Sequence, residues 1–276
     1  MYRDLTKGSI AKGLILFALP MIAGNLLQQF YNIADTLIVG RALGRDALAA
    51  VGSAYTLMTF LTSVFLGLSM GSGALFSIYL GKGDRDALKT AVAHAFGLIF
   101  GITLALNALV YALIDPILHF LQVPNGIYED MRGYLVIIFA GLLASFLSNF
   151  FACLLRAAGN SAAPLWFLGV SAVLNIALDL LFVLVFDWRI AGAAAATVIA
   201  QYVSGIGLLL YTLHSCRGLL PEKQHFRWNG CILREICDLS LLTCAQQSAM
   251  NCGMMYISGS SSTNLRITAT IIEHSA

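Results

Sequence analysis

The chain has 276 residues, of which 16 are Lys or Arg and 14 are Asp or Glu, so 11% is charged where a soluble domain carries roughly 25%. With 59% hydrophobic residues and a net charge of only +2, the sequence is too apolar for disorder and lacks the basic face that a nucleic-acid partner needs. What remains is an integral membrane protein, with the lipid bilayer as its first partner.

Six stretches are long and apolar enough to span: roughly 14 to 39, 51 to 80, 91 to 115, 133 to 155, 163 to 186 and 190 to 214. The first follows a short basic segment, as a signal peptide would. It runs too long and has no small-residue cleavage site, so it reads as a retained helix. A seventh apolar stretch begins near Ile236 and reaches Ile257. Backbone groups find no water in hydrocarbon, and the short alternating strands of a barrel are absent, so the spans are helices. The expected fold class is therefore an all-α membrane protein. Residues 1–214 form a six-helix transmembrane bundle, 215–235 an amphipathic cytoplasmic loop, 236–257 the start of helix 7, and 258–276 a polar tail with strand-like alternation.

Within the spans, Gly67 with Gly71 and Gly97 with Gly101 have the small-xxx-small spacing that lets backbones approach closely. Pro20 removes one backbone bond from the first span and makes either a fixed kink or a hinge. The six cysteines show no metal-ligand spacing and read as small apolar fillers. Eleven Lys and Arg residues fall on the side that holds Arg3, Lys82, Arg156 and Arg217. Four, Arg41, Arg45, Arg132 and Arg189, fall on the other. The positive-inside rule then puts the amino terminus of this multi-pass protein in the cytoplasm.

Only two charged residues lie well inside the spans, Asp35 and Asp179. An acid at mid-membrane costs roughly 2.5 to 3.5 kcal/mol on insertion scales, which points to a functional role. Counting residues from the inner ends of their helices places Asp35 about 30 Å and Asp179 about 24 Å along, both in the outer half. Asn175 lies one turn before Asp179 on the same face, and Thr197 lies about 10 Å below the outer end of the sixth span. Two carboxylates, a carboxamide and a hydroxyl are hard oxygen donors suited to a bare cation or a shared proton. If the cation is a metal ion, Asp35 and Asp179 are its charged ligands. Asn25, Gln28, Gln29, Tyr31 and Asn32 add polarity to the first span and mark it as the wall of a wet cavity.

Three segments, ALPMIAGNLLQQFYNIADTLIVGRALG, LRAAGNSAAP and LNIALDLLFV, resemble the multidrug and toxic compound extrusion (MATE) family of secondary transporters, in its bacterial form. The resemblance covers residues 1 to about 255 and implies one six-helix lobe of a twelve-helix exporter. It implies export of small organic cations in exchange for Na+ or H+, with no catalytic residues and no cofactor beyond the coupling ion. By position, the family's cation site falls on Asp35, Asn175, Asp179 and Thr197, and its helix 1 hinge on Pro20. After Met255 the sequence departs from the family's pattern, as a truncated or frame-shifted reading of a longer gene would. A natural half-length protein is the alternative, and six helices that begin and end inside would permit a homodimer of half-transporters.

Three other readings compete. A flippase for lipid-linked sugars needs a basic cavity, an intramembrane aspartyl protease needs a G-x-G-D pattern that is missing, and an inactive fragment or scaffold would tolerate loss of its aspartates.

Overall fold

The structure is a computed structural model of the chain. It describes the backbone over residues 10–120 and 128–275, and the side chains over 13, 15–33, 58–119, 128–222, 224–251 and 253. Among these residues the elements are α1 (Ile10–Lys82), α2 (Arg85–Ala112), the short α3 (Ile114–Phe120), α4 (Tyr128–Ala157), α5 (Ala162–Asp179), α6 (Arg189–Ser215) and α7 (Gly230–Ser275), with no strand. A π-helical turn, Leu180–Val185, prolongs α5.

Five segments of the described residues are long and apolar enough to cross a membrane: Met58–Lys82, Arg85–Ala112, Tyr128–Ala157, Ala162–Val185 and Arg189–Ser215. They coincide with the second to sixth expected spans. The first span forms the start of α1, and its side chains beyond residue 33 lie outside the described residues.

Two boundaries differ from the expectation. α1 continues unbroken for 73 residues, through the interval from 40 to 50 where two spans were expected to separate. Gly40, Gly44 and Gly52 each cost a helix about 1 kcal/mol, but no proline between Pro20 and Pro116 removes a donor. α7 likewise starts at Gly230 and remains helical to Ser275, across the segment whose alternation suggested a strand-like tail. The alternation spans only a few residues, too few to outweigh a helix already propagating from residue 230. The side chains of that tail, and that of Cys252, lie outside the described residues.

The turns after α1 and α4 use one device. Gly83 (φ 72°) and Gly159 (φ 81°) adopt the left-handed conformation. Asp84 N–H then reaches back to Tyr79 O at 3.1 Å, and Asn160 N–H to Leu155 O at 2.9 Å. These bonds satisfy carbonyls that the helix ends would leave open. The side chain of Asp84 also accepts from the Ala87 amide and caps α2.

α4 is the central post. Its fully buried Phe146, with Phe150, Phe76 of α1 and Phe96 of α2, forms an edge-and-tilt aromatic cluster. On the other side α4 meets α6, where a Cβ on Gly205 would lie 3.0 Å from Ala144 O and one on Gly141 3.0 Å from Val198 Cγ2. The pair Gly67 and Gly71 brings α1 against α7: a Cβ there would fall 2.6 Å from Cys244 Cα and 2.5 Å from Ser240 Cα. Gly97 and Gly101 do not serve that purpose, because nothing lies within 4 Å of either site. Their spacing matched the pattern, but among the described residues no helix packs on that face of α2. Among the described residues Cys153, Cys216, Cys231, Cys237 and Cys244 are free thiols.

The segment between α6 and α7 docks on the end of α2. Lys89 pairs with Glu222, His225 approaches Asp86 at 3.4 Å, and the Asn229 amide donates to His94 Nε2 at 3.1 Å. The Lys89 ammonium, hydrogen-bonded to Glu222, holds that carboxyl below its ordinary range. Ile232 and Ile236 are buried in the bundle's core, so the apolar face of this amphipathic stretch packs on the protein.

Candidate functional site

α5 and α6 form an antiparallel pair whose contact face alternates between aromatic and polar contacts. At the cytoplasmic end expected from the charge distribution, a Cβ on Gly207 would lie 2.5 Å from Phe167 Cε1, so glycine makes room for the ring. One level up, Ser171 Oγ donates to Ala200 O at 2.9 Å. Above that sit Asn175 and Asp179, spaced by four residues and therefore on one face of α5.

Asp179 is 0% and Asn175 1% exposed, while Thr197 of α6 is partly buried. In the orientation that satisfies the Asn175 carboxamide, Nδ2 donates to Asp179 Oδ2 at 2.9 Å. Its Oδ1 accepts from the Thr197 amide at 3.2 Å and from Thr197 Oγ1 at 3.3 Å. The carboxamide therefore bridges the two helices and holds the carboxylate in place. A buried carboxylate is strongly disfavoured unless paired or protonated, so this position is where a cation or a proton has the most to gain.

The helix changes character at this point. Beyond Asp179 the chain makes a π turn, with Phe186 N–H bonding to Leu181 O at 3.0 Å, a geometry that recurs at functional sites. Phe182, Phe186 and Trp188 stack to close the hairpin, with Phe182 and Trp188 centroids 4.9 Å apart. Asp187 (φ 52°) and Arg189 (φ 48°) turn the chain into α6 through left-handed conformations that side chains seldom adopt. This hairpin sets the register that places Thr197 opposite Asn175.

Three of the four expected cation ligands thus meet. The fourth, Asp35, has its side chain outside the described residues. Pro20 lies partly buried within α1. Asn25, Gln28 and Gln29 lie on the exposed side of α1, whereas Tyr31 and Asn32 are partly buried and Asn32 Nδ2 donates to Gln29 Oε1 at 3.3 Å. One neighbour escaped the sequence reading. Gln201, one turn below Thr197 on α6, accepts from Ser145 Oγ of α4 at 3.1 Å. Its i+4 spacing from Thr197 was the available signal.

The sequence model of the MatE family matches residues 20–181, more than half of the chain. The chain belongs to the MatE family. Within the family it is 33% identical over 210 residues to YpnP of Bacillus subtilis (strain 168), named a probable multidrug resistance protein, covering 76% of this chain and 47% of that one. The MatE fold is reproduced by the outward-facing conformation of a multidrug resistance MATE family transporter of the MOP superfamily, with TM-score 0.83 and 23% identity over 91% of this chain and 56% of that one. It is reproduced equally by a MOP superfamily transporter from Pyrococcus furiosus, with TM-score 0.84 and 22% identity over 92% and 56% of the two chains. That protein is described as having a binding pocket of reverse polarity, suggesting a different function. The chain spans about half the length of these relatives.

Proposed function

We propose that this chain works as one lobe of a multidrug exporter that expels organic cations in exchange for Na+ or H+. It would lie in the bacterial plasma membrane with its amino terminus in the cytoplasm. The observation that carries the reading is the buried carboxylate of Asp179, bridged by Asn175 to Thr197 between α5 and α6. The names of the relatives support the class of transport, and the sign of the buried charge favours a cationic cargo over a pyrophosphate.

The chemistry is competition for negative charge. Entering Na+ ions or protons, one for each charge, neutralise Asp179 and Asp35 and relieve the cost of keeping carboxylates out of water. The state that holds the coupling ion then binds an organic cation less well, and the exchange follows from that difference in affinity. Asn175 and Thr197 supply neutral oxygen ligands to Na+, or hold the protonated carboxyl in position. Pro20 supplies the flexible point of α1.

The test is a melting experiment on the chain in lipid nanodiscs, with NaCl replacing choline chloride at constant ionic strength. Na+ at 100 times its dissociation constant stabilises a one-site binder by about 2.7 kcal/mol, and Asp179→Asn removes the response. If protons are the coupling ion, the same variant removes a rise in stability between pH 8 and 5. Wild-type melting indifferent to both ions overturns the reading.

A further inference from the structure

The turn between α4 and α5, Gly159–Asn160–Ser161, fastens more of the molecule than its length suggests. Gly159 ends α4 in the left-handed conformation. Asn160 accepts through Oδ1 from the Ala163 amide at 3.1 Å, capping α5, and donates through Nδ2 to Tyr211 Oη of α6 at 3.1 Å. Ser161 adjoins the first residue of α5, where a serine hydroxyl ordinarily accepts from a free helix amide. Here it makes no capping bond. Ser161 is 7% exposed, and its Oγ donates to Phe17 O of α1 at 3.1 Å, across 144 residues of sequence.

The receiving carbonyl has a particular place. Pro20 has no N–H for Leu16 O, and its ring crowds the turn before it, so α1 is least well bonded between residues 16 and 20. Phe17 O is the next acceptor in that turn. Above the proline, α1 meets α5 at apolar contacts: a Cβ on Gly24 would sit 3.6 Å from Leu165 Cδ1 and 3.7 Å from Leu168 Cδ2, and one on Gly169 3.7 Å from Leu27 Cδ2. These contacts can slide, but a hydrogen bond from a buried hydroxyl to a main-chain carbonyl cannot. Asn160 caps α5, while the Ser161 hydroxyl bonds to α1.

We propose that Ser161 is a positioning residue for α1. It clamps the turn below Pro20 to the start of α5, so that bending of α1 at the proline occurs only when the Ser161–Phe17 bond opens. α5 carries this clamp at one end and Asp179 at the other, and a rigid helix therefore connects the carboxylate to the hinge. That consequence for exchange rests on the transport reading above. The clamp itself does not, and it is measured without any ion or cargo.

Hydrogen–deuterium exchange of the whole chain in lipid nanodiscs tests it. Ser161→Ala speeds exchange of amides in peptides covering 10–24 by about two- to tenfold, the factor spanned by one net hydrogen bond. Ser161→Thr, which keeps the donor, exchanges at the wild-type rate. Asn160→Ala loosens the start of α5 and leaves 10–24 as protected as before. Unchanged exchange over 10–24 in Ser161→Ala overturns the proposal, and so does equal acceleration in Asn160→Ala, which would mean general loosening. A chain whose melting responds to neither Na+ nor acid, yet whose exchange follows this pattern, retains the clamp and loses the transport reading.

Discussion

The α5–α6 contact and the α1–α7 contact each bring two helices together, by different means. Between α1 and α7 the side chains are removed: Gly67 and Gly71 leave room for Ser240 and Cys244, and Thr243 Oγ1 donates to Gly67 O at 2.6 Å. Between α5 and α6 polar side chains are retained and satisfied, with Asn175 reaching both Asp179 and Thr197. In the first arrangement the hydroxyls of Ser240 and Thr243 and the Cys244 thiol are spent on α1 carbonyls, and the one carboxylate that bonds across it among the described residues, Glu235, is exposed and accepts from Tyr79 Oη at 2.7 Å. The second buries its carboxylate completely between the helices, which stability alone would not require, and the proposed ion site rests on that difference.

The comparison can be broken at either seam. Gly71→Ala should have the largest effect on folding, because its methyl would meet Ser240 main chain at 2.5 Å and that backbone cannot rotate away. Overpacking of this kind costs about 1–3 kcal/mol, read as a lowered melting temperature, whereas Gly101→Ala, with nothing within 4 Å among the described residues, raises melting slightly, because alanine favours a helix over glycine by about 0.5–1 kcal/mol. Thr197→Val removes a hydroxyl that Asn175 can replace with the Thr197 amide, so the loss is nearer about 1 kcal/mol. Its signature is a weakened response to the coupling ion with the fold intact.

Smallest is the effect at the inner end. Glu222 is held below the ordinary glutamate range by Lys89, so the pair stabilises docking of the 216–229 segment at neutral pH. That contribution is complete above the ordinary pKa of about 4.3 and is lost as pH falls through the lowered value. Cleavage by an acid-stable protease within 216–229 should therefore stay slow at pH 5 and quicken only in stronger acid. Lys89→Ala brings the onset to higher pH.

Much of this was legible in the sequence. Five spans appeared as apolar runs, and Asn175, Asp179 and Thr197 could be brought together from helix rise and i,i+4 spacing alone, because depth in a membrane is a one-dimensional coordinate. Lateral neighbours were not legible. Gly97 and Gly101 carry the same spacing as Gly67 and Gly71, yet among the described residues only the latter have a helix against them. The clamp at Ser161 was hidden because its acceptor is a main-chain carbonyl 144 residues away. The continuity of α1 through 40–50 and of α7 through 258–275 was missed because glycine and polar residues weaken a helix without ending it.

The central claim is that Asp179 binds the coupling ion. Its most direct measurement is the melting temperature of the wild-type chain and of Asp179→Asn, followed against Na+ at constant ionic strength and against pH. The account predicts that the wild type responds to one of the two ions and the variant to neither. A variant that responds as the wild type does would place the ion elsewhere and contradict it.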